Sequence, residues 1–546
     1  TGMILASGWI DNGKTVGNAQ DPDNAKRAAE YLSKIRSNQL TGTVDPGDVL
    51  QAREQALQKH YKSGDAMGLN WEEMGPDNAP GRTRAVIFDN RDASGQTLIT
   101  AGVTGGLWKT TNLGLTWHKI NEANQNLYIT CLEQDANGTI YAGTGEGFCT
   151  EEYTYYGGLV GQGLYKSTDG ETFTLVQDTK PVIPSTEVMT DTIDWAYINE
   201  IQIDPSSGRV YAATNTGLFY SNDGHTNWQK VTQYYLDSLV YDVALSIDSI
   251  VPCNSFEVVG DDIIMNGPSF NSAEVDTTVY NKAPQPKVTH ILEFDKPNCT
   301  DVDVASDGTV IATFDNLVFM APGGTDMVFT NKSANPENPY VISMEERAYT
   351  TTLTAVDTSG NTASRTVNFN QSTNWGPDET DGPSPLAEDP NRTNVSFAPS
   401  DPNVIYAVCT QGYGFLDNIY LSEDKGATWQ IVFPGGSPTL EIFNGSGCYS
   451  NVLTVFPNDP YKILVGGINM WMGSRAAGQN GYYNWGSGPI SQGFSNFLDY
   501  YIPNYHHDYM FQPGSNNRMI AATDKGITYG VFSADRVEFT QINKKL

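Results

Sequence analysis

The chain has 546 residues, 63 of them acidic and 32 basic, for a net charge of −31. Such an excess argues against nucleic acid as a partner, since phosphate binding rests on clustered Lys and Arg; it biases the surface toward cations, basic proteins or neutral sugars, or simply keeps it well solvated. No apolar run is long enough to cross a bilayer as a helix, and 39% hydrophobic residues with 53 Gly, 29 Tyr and 10 Trp suit an all-β chain with a sizeable core.

Thr1 to Leu5 is too short an apolar stretch for a signal peptide and has no charged start, so the sequence reads as mature. Residues 1–70 read as an extension holding two helices. Asp23 and Asn24 can cap the first, over Ala25 to Ile35; Asp45-Pro46-Gly47-Asp48 punctuates, and Val49 to Tyr61 forms the second.

From near Trp71 a repeat sets in, clearest at Asn418 to Trp429, where an apolar-alternating run leads into the octet SEDKGATW. In such a turn an Asp accepts backbone N–H groups, a Gly supplies positive φ, and a Trp on the return strand packs back over the bend. The pattern recurs at Thr97 to Trp117 with Asn112 in the Asp place, at Arg209 to Trp228 with Asp223 but His225 in the Gly place, and at Thr139 to Phe173 with Asp169 and a turn one residue shorter. Arg518 to Phe539 holds a short copy with Asp535, while Thr309 to Phe329 and Lys462 to Ser474 keep the strands and lose the Asp. A strand closed by a Pro turn precedes many copies, as at Ile203-Asp204-Pro205, Phe456-Pro457 and Phe511-Gln512-Pro513. The unit is therefore strand, Pro turn, strand, Gly gap, strand, Asp turn, strand. Four antiparallel strands cannot bury both faces alone, so several units must stack about an axis.

These turns resemble the Asp-box repeats of sortilin-type and glycosidase-type β-propellers. WEEMGPDNAPGRTR at Trp71 to Arg84, GGLWKT at Gly105 to Thr110, and His506 to Gly530 resemble large secreted or surface propeller proteins of Bacteroidota, exported by a type IX-like route. The resemblance covers residues 71–232 and 392–546. It implies an all-β propeller of about seven four-stranded blades, with the octet residues Asn112, Asp169, Asp223, Asp424, Asp535, Trp117, Trp228 and Trp429 as scaffold rather than site. Proteins of the kind the chain resembles often carry a second propeller and a C-terminal sorting module beyond a point such as Leu546. The triplets at Asp191, Asp237 and Asp248 resemble O-glycosylation sites of such envelope proteins.

Between 234 and 391 the repeat blurs. Tyr349 to Phe369, with its D-x-S-G-N hairpin, resembles the last strands of an immunoglobulin-like module, so this stretch is either a β-sandwich-like insertion, the favoured reading, or degenerate blades; Asn370 to Asn391 reads as a linker. Propeller blades resume over 392–546. Six scattered cysteines are either buried thiols or up to three disulfides, Cys131 and Cys149 being the first pair expected to bridge.

Carboxylates at strand-start positions that point toward a propeller mouth are Asp77, Glu146, Asp194, Asp508 and Asp524. The sharpest cluster is His506-His507-Asp508 among tyrosines, although on a regular strand His507 faces away from the other two. Together with Trp471, Trp485 and Tyr505 these are the candidate binding residues, with Tyr482, Tyr483, Tyr500, Tyr501 and Tyr509 as further aromatics of a sugar platform or as loop anchors. No metal centre and no cofactor are expected, save that turn aspartates and the acidic stretch up to Asp307, with Asp301 and Asp303, could hold structural calcium; no complete calcium-loop motif exists. The expected role is non-catalytic binding of a surface protein or glycan, within or outside an envelope complex. The alternative is a glycoside hydrolase resembling two-propeller xyloglucan-active enzymes, working with two carboxylates across a groove.

Overall fold

The computed structural model describes residues 40, 55, 80–121, 127–147, 159–182, 192–238, 246–252, 255–259, 262–266, 288–292, 298–314, 317–323, 327–332, 347–371, 390–411, 414–435, 441–475, 483–485, 489–490, 501–533, 537–544 and 546. Contacts divide the chain into two compact units, Thr1–Met74 with Val182–Thr190, and Gly75–Pro181 with Asp191–Leu546. The two expected helices lie outside the described residues, and the architecture below belongs to the second unit.

Seven sheets, antiparallel save for one parallel pairing in the fourth, follow one another along this unit. Their first strands are Thr83–Phe88, Ile129–Gln134, Ile198–Ile203, Cys299–Val304, Pro390–Ala398, Val452–Phe456 and His506–Phe511. Each first strand lies against the next, and the seventh returns to the first. The result is a seven-bladed β-propeller with these strands around the axis. Blades 1, 2, 3, 5 and 7 have four strands, blade 6 has three among the described residues, and blade 4 is extended outward to six. The two added strands are Tyr234–Ser238, parallel to Phe329–Asn331, and Val288–Leu292, antiparallel to Tyr234–Ser238.

Blade 4 thus lies within the stretch where the repeat is blurred. On either side of it in sequence come the strands of a separate sheet, Ser246–Pro252 parallel to Arg347–Val356, which pairs with Thr362–Gln371. A hairpin of Ser255–Val259 and Asp262–Asn266 adds a two-stranded sheet. The D-x-S-G-N bend is closed by Asp357, which accepts the amides of Ser359 and Asn361 at 2.9 and 2.8 Å.

The octet turns are joints between blades. Ser422 donates to Asp424, which accepts the Thr428 amide at 2.8 Å; Asp223 accepts His225 and Thr226, Asp169 accepts Glu171 and Thr172, and Asn112 does the same work for Thr116. Each turn glycine sits at positive φ against the preceding blade: a Cβ on Gly114 would fall 2.6 Å from Ile542, one on Gly224 2.3 Å from the Tyr141 hydroxyl, and one on Gly426 2.9 Å from Met320. The indoles of Trp117 and Trp429 donate backward across the same joints, to the Ile542 and Lys332 carbonyls, both at 2.6 Å. In blade 3 the needed glycine comes one place early, Gly224 rather than position 225, and Asn227 at φ 53° takes up the difference. Trp228 packs edge-on to Trp195, ring centroids 5.1 Å apart, with its indole N–H unpartnered. Asp535 lies outside the described residues.

The expected Cys131–Cys149 bridge is not formed. Cys131 is a free thiol whose strand turns it into the apolar seam between blades 2 and 3, with Leu164, Ile198 and Ile201. Cys299 and Cys409 are also buried free thiols, and Cys448 is disulfide-bonded.

Candidate functional site at the channel mouth

The start of each first strand and the bend after each second strand meet at one face, around the axis. Here the charged residues Arg82, Arg84, Glu146 and Asp524 are gathered with His507 and Tyr449, from blades 1, 2, 6 and 7. Arg82 donates to Glu146 at 2.7 Å and to the Tyr449 hydroxyl at 3.0 Å. Arg84 is almost wholly buried; it approaches Glu146 at 3.4 Å, donates to the Tyr449 carbonyl at 3.0 Å, and meets His507 Nδ1 at 3.1 Å. Asp524 accepts from the Tyr449 hydroxyl at 2.6 Å and pairs with His507 Nε2 at 2.7 Å.

This geometry assigns the imidazole tautomer. A guanidinium only donates, so His507 Nδ1 must accept, and the proton sits on Nε2 facing Asp524. Burial, and after it the charge of Arg84, push the His507 pKa down to about 3, so the ring is neutral. Burial works to raise Asp524, but the bonds from His507 and Tyr449 and the charge of Arg82 hold it below the usual carboxylate range. Two arginines face two carboxylates here, a balanced cluster in which every charge is engaged.

Beneath the mouth lies a cavity of about 220 Å3, lined by the first strands of all seven blades. It holds five carboxyls, Glu133, Glu200, Asp301, Asp303 and Asp508, against the guanidiniums of Arg84 and Arg392. Three of the five reach across a seam to an amide of the next blade. Asp508 accepts Val86 at 2.9 Å, closing blade 7 on blade 1, while Asp301 and Asp303 accept Val395 and Phe397, both at 2.8 Å. Burial raises all five: Glu133 to about 8, Asp301 and Asp508 to about 7, Asp303 to about 6, and Glu200 well above its ordinary value.

The His506-His507-Asp508 run is split three ways. A β-bulge falls between His506 and Asp508. His506 is fully buried beside Tyr509, both ring nitrogens unpartnered, and burial drops its pKa to about 3. His507 goes to the mouth, and Asp508 to the seam. Of the mouth-facing carboxylates, Glu146, Asp508 and Asp524 do converge on the axis. Asp194 instead accepts from Thr216 at 2.6 Å and approaches Lys230 at 3.6 Å, and Asp77 lies outside the described residues.

The aromatic platform is divided. Trp471 and Trp485 are 6% and 8% exposed, buried in the core between blades 5 and 6, and Trp485 donates to the Val432 carbonyl at 3.1 Å. Neither offers a free face to a sugar. Tyr505, held at φ 64°, stands edge-on to Tyr449 with ring centroids 5.8 Å apart and so belongs to the mouth. Tyr482 and Tyr500 lie outside the described residues. Among the described residues, no group of three or more His, Cys, Asp or Glu could hold a metal ion.

Sequence reasoning gave no role to Arg82, Arg84, Tyr449, Arg392, Glu133 or Glu200, and singled out Asp301 and Asp303 only as part of a stretch that could hold calcium, whereas they lie on the first strand of blade 4. For the acids a signal existed: ITCLEQ, INEIQI and CTDVDV are apolar first strands broken by carboxylates, which a buried strand admits only for a purpose.

The sheet pairing defines the class of protein, a seven-bladed β-propeller with a charge-paired mouth above an acid-lined channel. No family model and no curated protein matches the chain. Solved structures similar to it include YCF48 from Cyanidioschyzon merolae, at 11% identity and TM-score 0.38 over 82% of this chain and 94% of that one. A streptogramin B lyase aligns at 8% identity and TM-score 0.38, covering 86% and 96% of the two chains. The GH74 xyloglucanase from Xanthomonas campestris aligns at 12% identity and TM-score 0.29, covering 86% and 67%. Likeness at this level says nothing of activity.

Proposed function

We propose that this protein is a non-catalytic binding propeller that takes a protein segment or glycan on the face around Arg82, Glu146, Tyr449 and Tyr505. The observation that carries this reading is the closed pairing at the mouth. Glycoside hydrolysis by two carboxylates needs one that holds a proton for the leaving group. Asp524 is kept ionised by His507, Tyr449 and Arg82, Glu146 is engaged by Arg82 and Arg84, and Asp508, whose pKa burial raises, is committed to the Val86 amide across the seam between blades 7 and 1. Paired charges at a concave mouth suit recognition, where they orient a ligand and reject wrong partners.

The octet turns make this an Asp-box propeller of the sortilin-like kind in our reading, exported to the cell surface of a Bacteroidota-type bacterium and working there alone or in an envelope complex. No helix among the described residues is long and apolar enough to cross a membrane. The test is to isolate the full chain from its own envelope under mild conditions and map cross-links to whatever is retained. Cross-links concentrated near Arg82, Tyr449 and Tyr505, and lost in Arg82→Ala, are expected. Release of reducing sugar from a polysaccharide panel, abolished in Asp524→Asn, would overturn the reading in favour of the hydrolase.

A further inference from the structure

The channel holds more acid than base. Facing the cavity are Arg84 from blade 1, Cys131 and Glu133 from blade 2, Glu200 from blade 3, Asp301 and Asp303 from blade 4, Arg392 from blade 5, and His507, Asp508 and Tyr509 from blade 7; blade 6 contributes only Val452, Leu453 and Thr454. Of the two guanidiniums, Arg84 is shared with Glu146 at the mouth. Five carboxyls around one cavity of about 220 Å3 thus have at most two cations to balance them, and like charges crowded together away from bulk water do not all ionise together.

We propose that these five carboxyls act as one proton-holding group, so that the propeller carries protons in its channel at neutral pH, sheds them as the pH rises, and loosens as charge accumulates around the axis. Geometry says where the strain falls. Asp301, Asp303 and Asp508 span the 4–5 and 7–1 seams, while Glu200 accepts only the Ile201 amide of its own strand, at 3.2 Å, and Glu133 spans no seam. The bridging aspartates gain amide donors that favour the ionised form and titrate at about 6 to 7; Glu133, with less to offset its burial, waits until about 8. The histidine does not take part, since burial and Arg84 keep His507 neutral far below this range.

The sign follows from linkage. A carboxyl whose pKa is raised on folding binds more proton in the native than in the unfolded state between its two pKa values. Stability is therefore full below the unfolded value, about pH 4, and is lost as pH rises through about 6 to 8.

Two measurements on the full chain test this. In the first, the denaturant midpoint, followed by Trp fluorescence, is expected to fall between about pH 5.5 and about pH 8.5. Glu133→Gln, which removes a charge without touching a seam, should raise the midpoint at the alkaline end and leave it nearly unchanged at the acid end. A wild-type midpoint that is flat or rises, or a Glu133→Gln profile parallel to wild type, overturns the proposal. The second needs no variant: the infrared carbonyl band of protonated carboxyls should persist in the wild type near pH 6, where exposed Asp and Glu are ionised, and lose most of its intensity by about pH 9. Its absence near pH 6 also overturns the proposal.

Discussion

Two sets of aspartates in this propeller accept backbone N–H groups, one on the outer turns and one around the axis, yet their pKa values end on opposite sides of the ordinary carboxylate value. On the turns, hydrogen bonds from Thr226 and His225 to Asp223, and from Thr172 and Glu171 to Asp169, outweigh a small burial penalty and pull both carboxyls down, Asp169 to about 2. In the channel, Asp508 and Asp301 accept comparable amides at 2.9 and 2.8 Å, yet burial leads and both rise to about 7. The contact is the same and the solvent differs: a turn carboxylate keeps water on its open side, whereas a channel carboxylate exchanges water for two N–H groups and a low dielectric. The turn aspartates bond within their own octet; those of the channel bond between blades.

If that contrast is right, its largest consequence lies in the channel. Arg84→Met should cost about 3–5 kcal/mol, because it leaves Glu146 and the acceptor nitrogen of His507 without their buried cation. Denaturant unfolding checks this, and a loss below about 1 kcal/mol would place the mouth cluster in effective contact with water. On the turns, Gly114→Ala should cost about 2–4 kcal/mol, combining left-handed strain with collision against Ile542. Gly208→Ala, at φ 74° with open space around it, should show only the strain, about 1 kcal/mol. Equal losses at the two positions would mean that the octets are not joints.

Smaller still, Asp424→Ala should cost about 1 kcal/mol and Asp424→Asn a few tenths, since Asn112 already performs this role in blade 1. The sharpest version is the acid limb. Carboxyls lowered on folding stabilise fully above their unfolded value and lose that contribution as pH falls through the folded one, so the turns should weaken from about pH 4 toward about pH 2. Asp223→Asn should flatten that limb and leave the alkaline limb alone; flattening of both would show the two sets to be coupled.

Much of the blade was legible in advance. The order of Gly gap and Asp turn marked the hairpins of blades 1, 2, 3 and 5, with a Pro turn ahead of it in blades 3 and 5 but not in blades 1 and 2, and the loss of the Asp in two copies did not hide their strands, because period-2 alternation is local. Blade 4 was harder, since its flanking sequence adds two strands and a separate sheet. The candidate site was half legible. Glu146, Asp508, Asp524 and His507 were singled out and reach the axis, but they serve different elements, and the bulge after His506 is not written in HHDYMF. Trp471 and Trp485 misled because an aromatic reads alike whether it faces a ligand or a neighbouring blade.

The amino-acid pattern by itself determined the repeating hairpin and the turn chemistry, which depend on residues within a few places of one another. Only the tertiary structure decided which charge meets which, because the pairs that matter are remote. Arg82 and Tyr449 stand 367 residues apart, and Val86 and Asp508 stand 422 apart. Ring closure, a property of all seven blades together, brings them within hydrogen-bond distance and takes them out of water, and burial then sets the charge state of each.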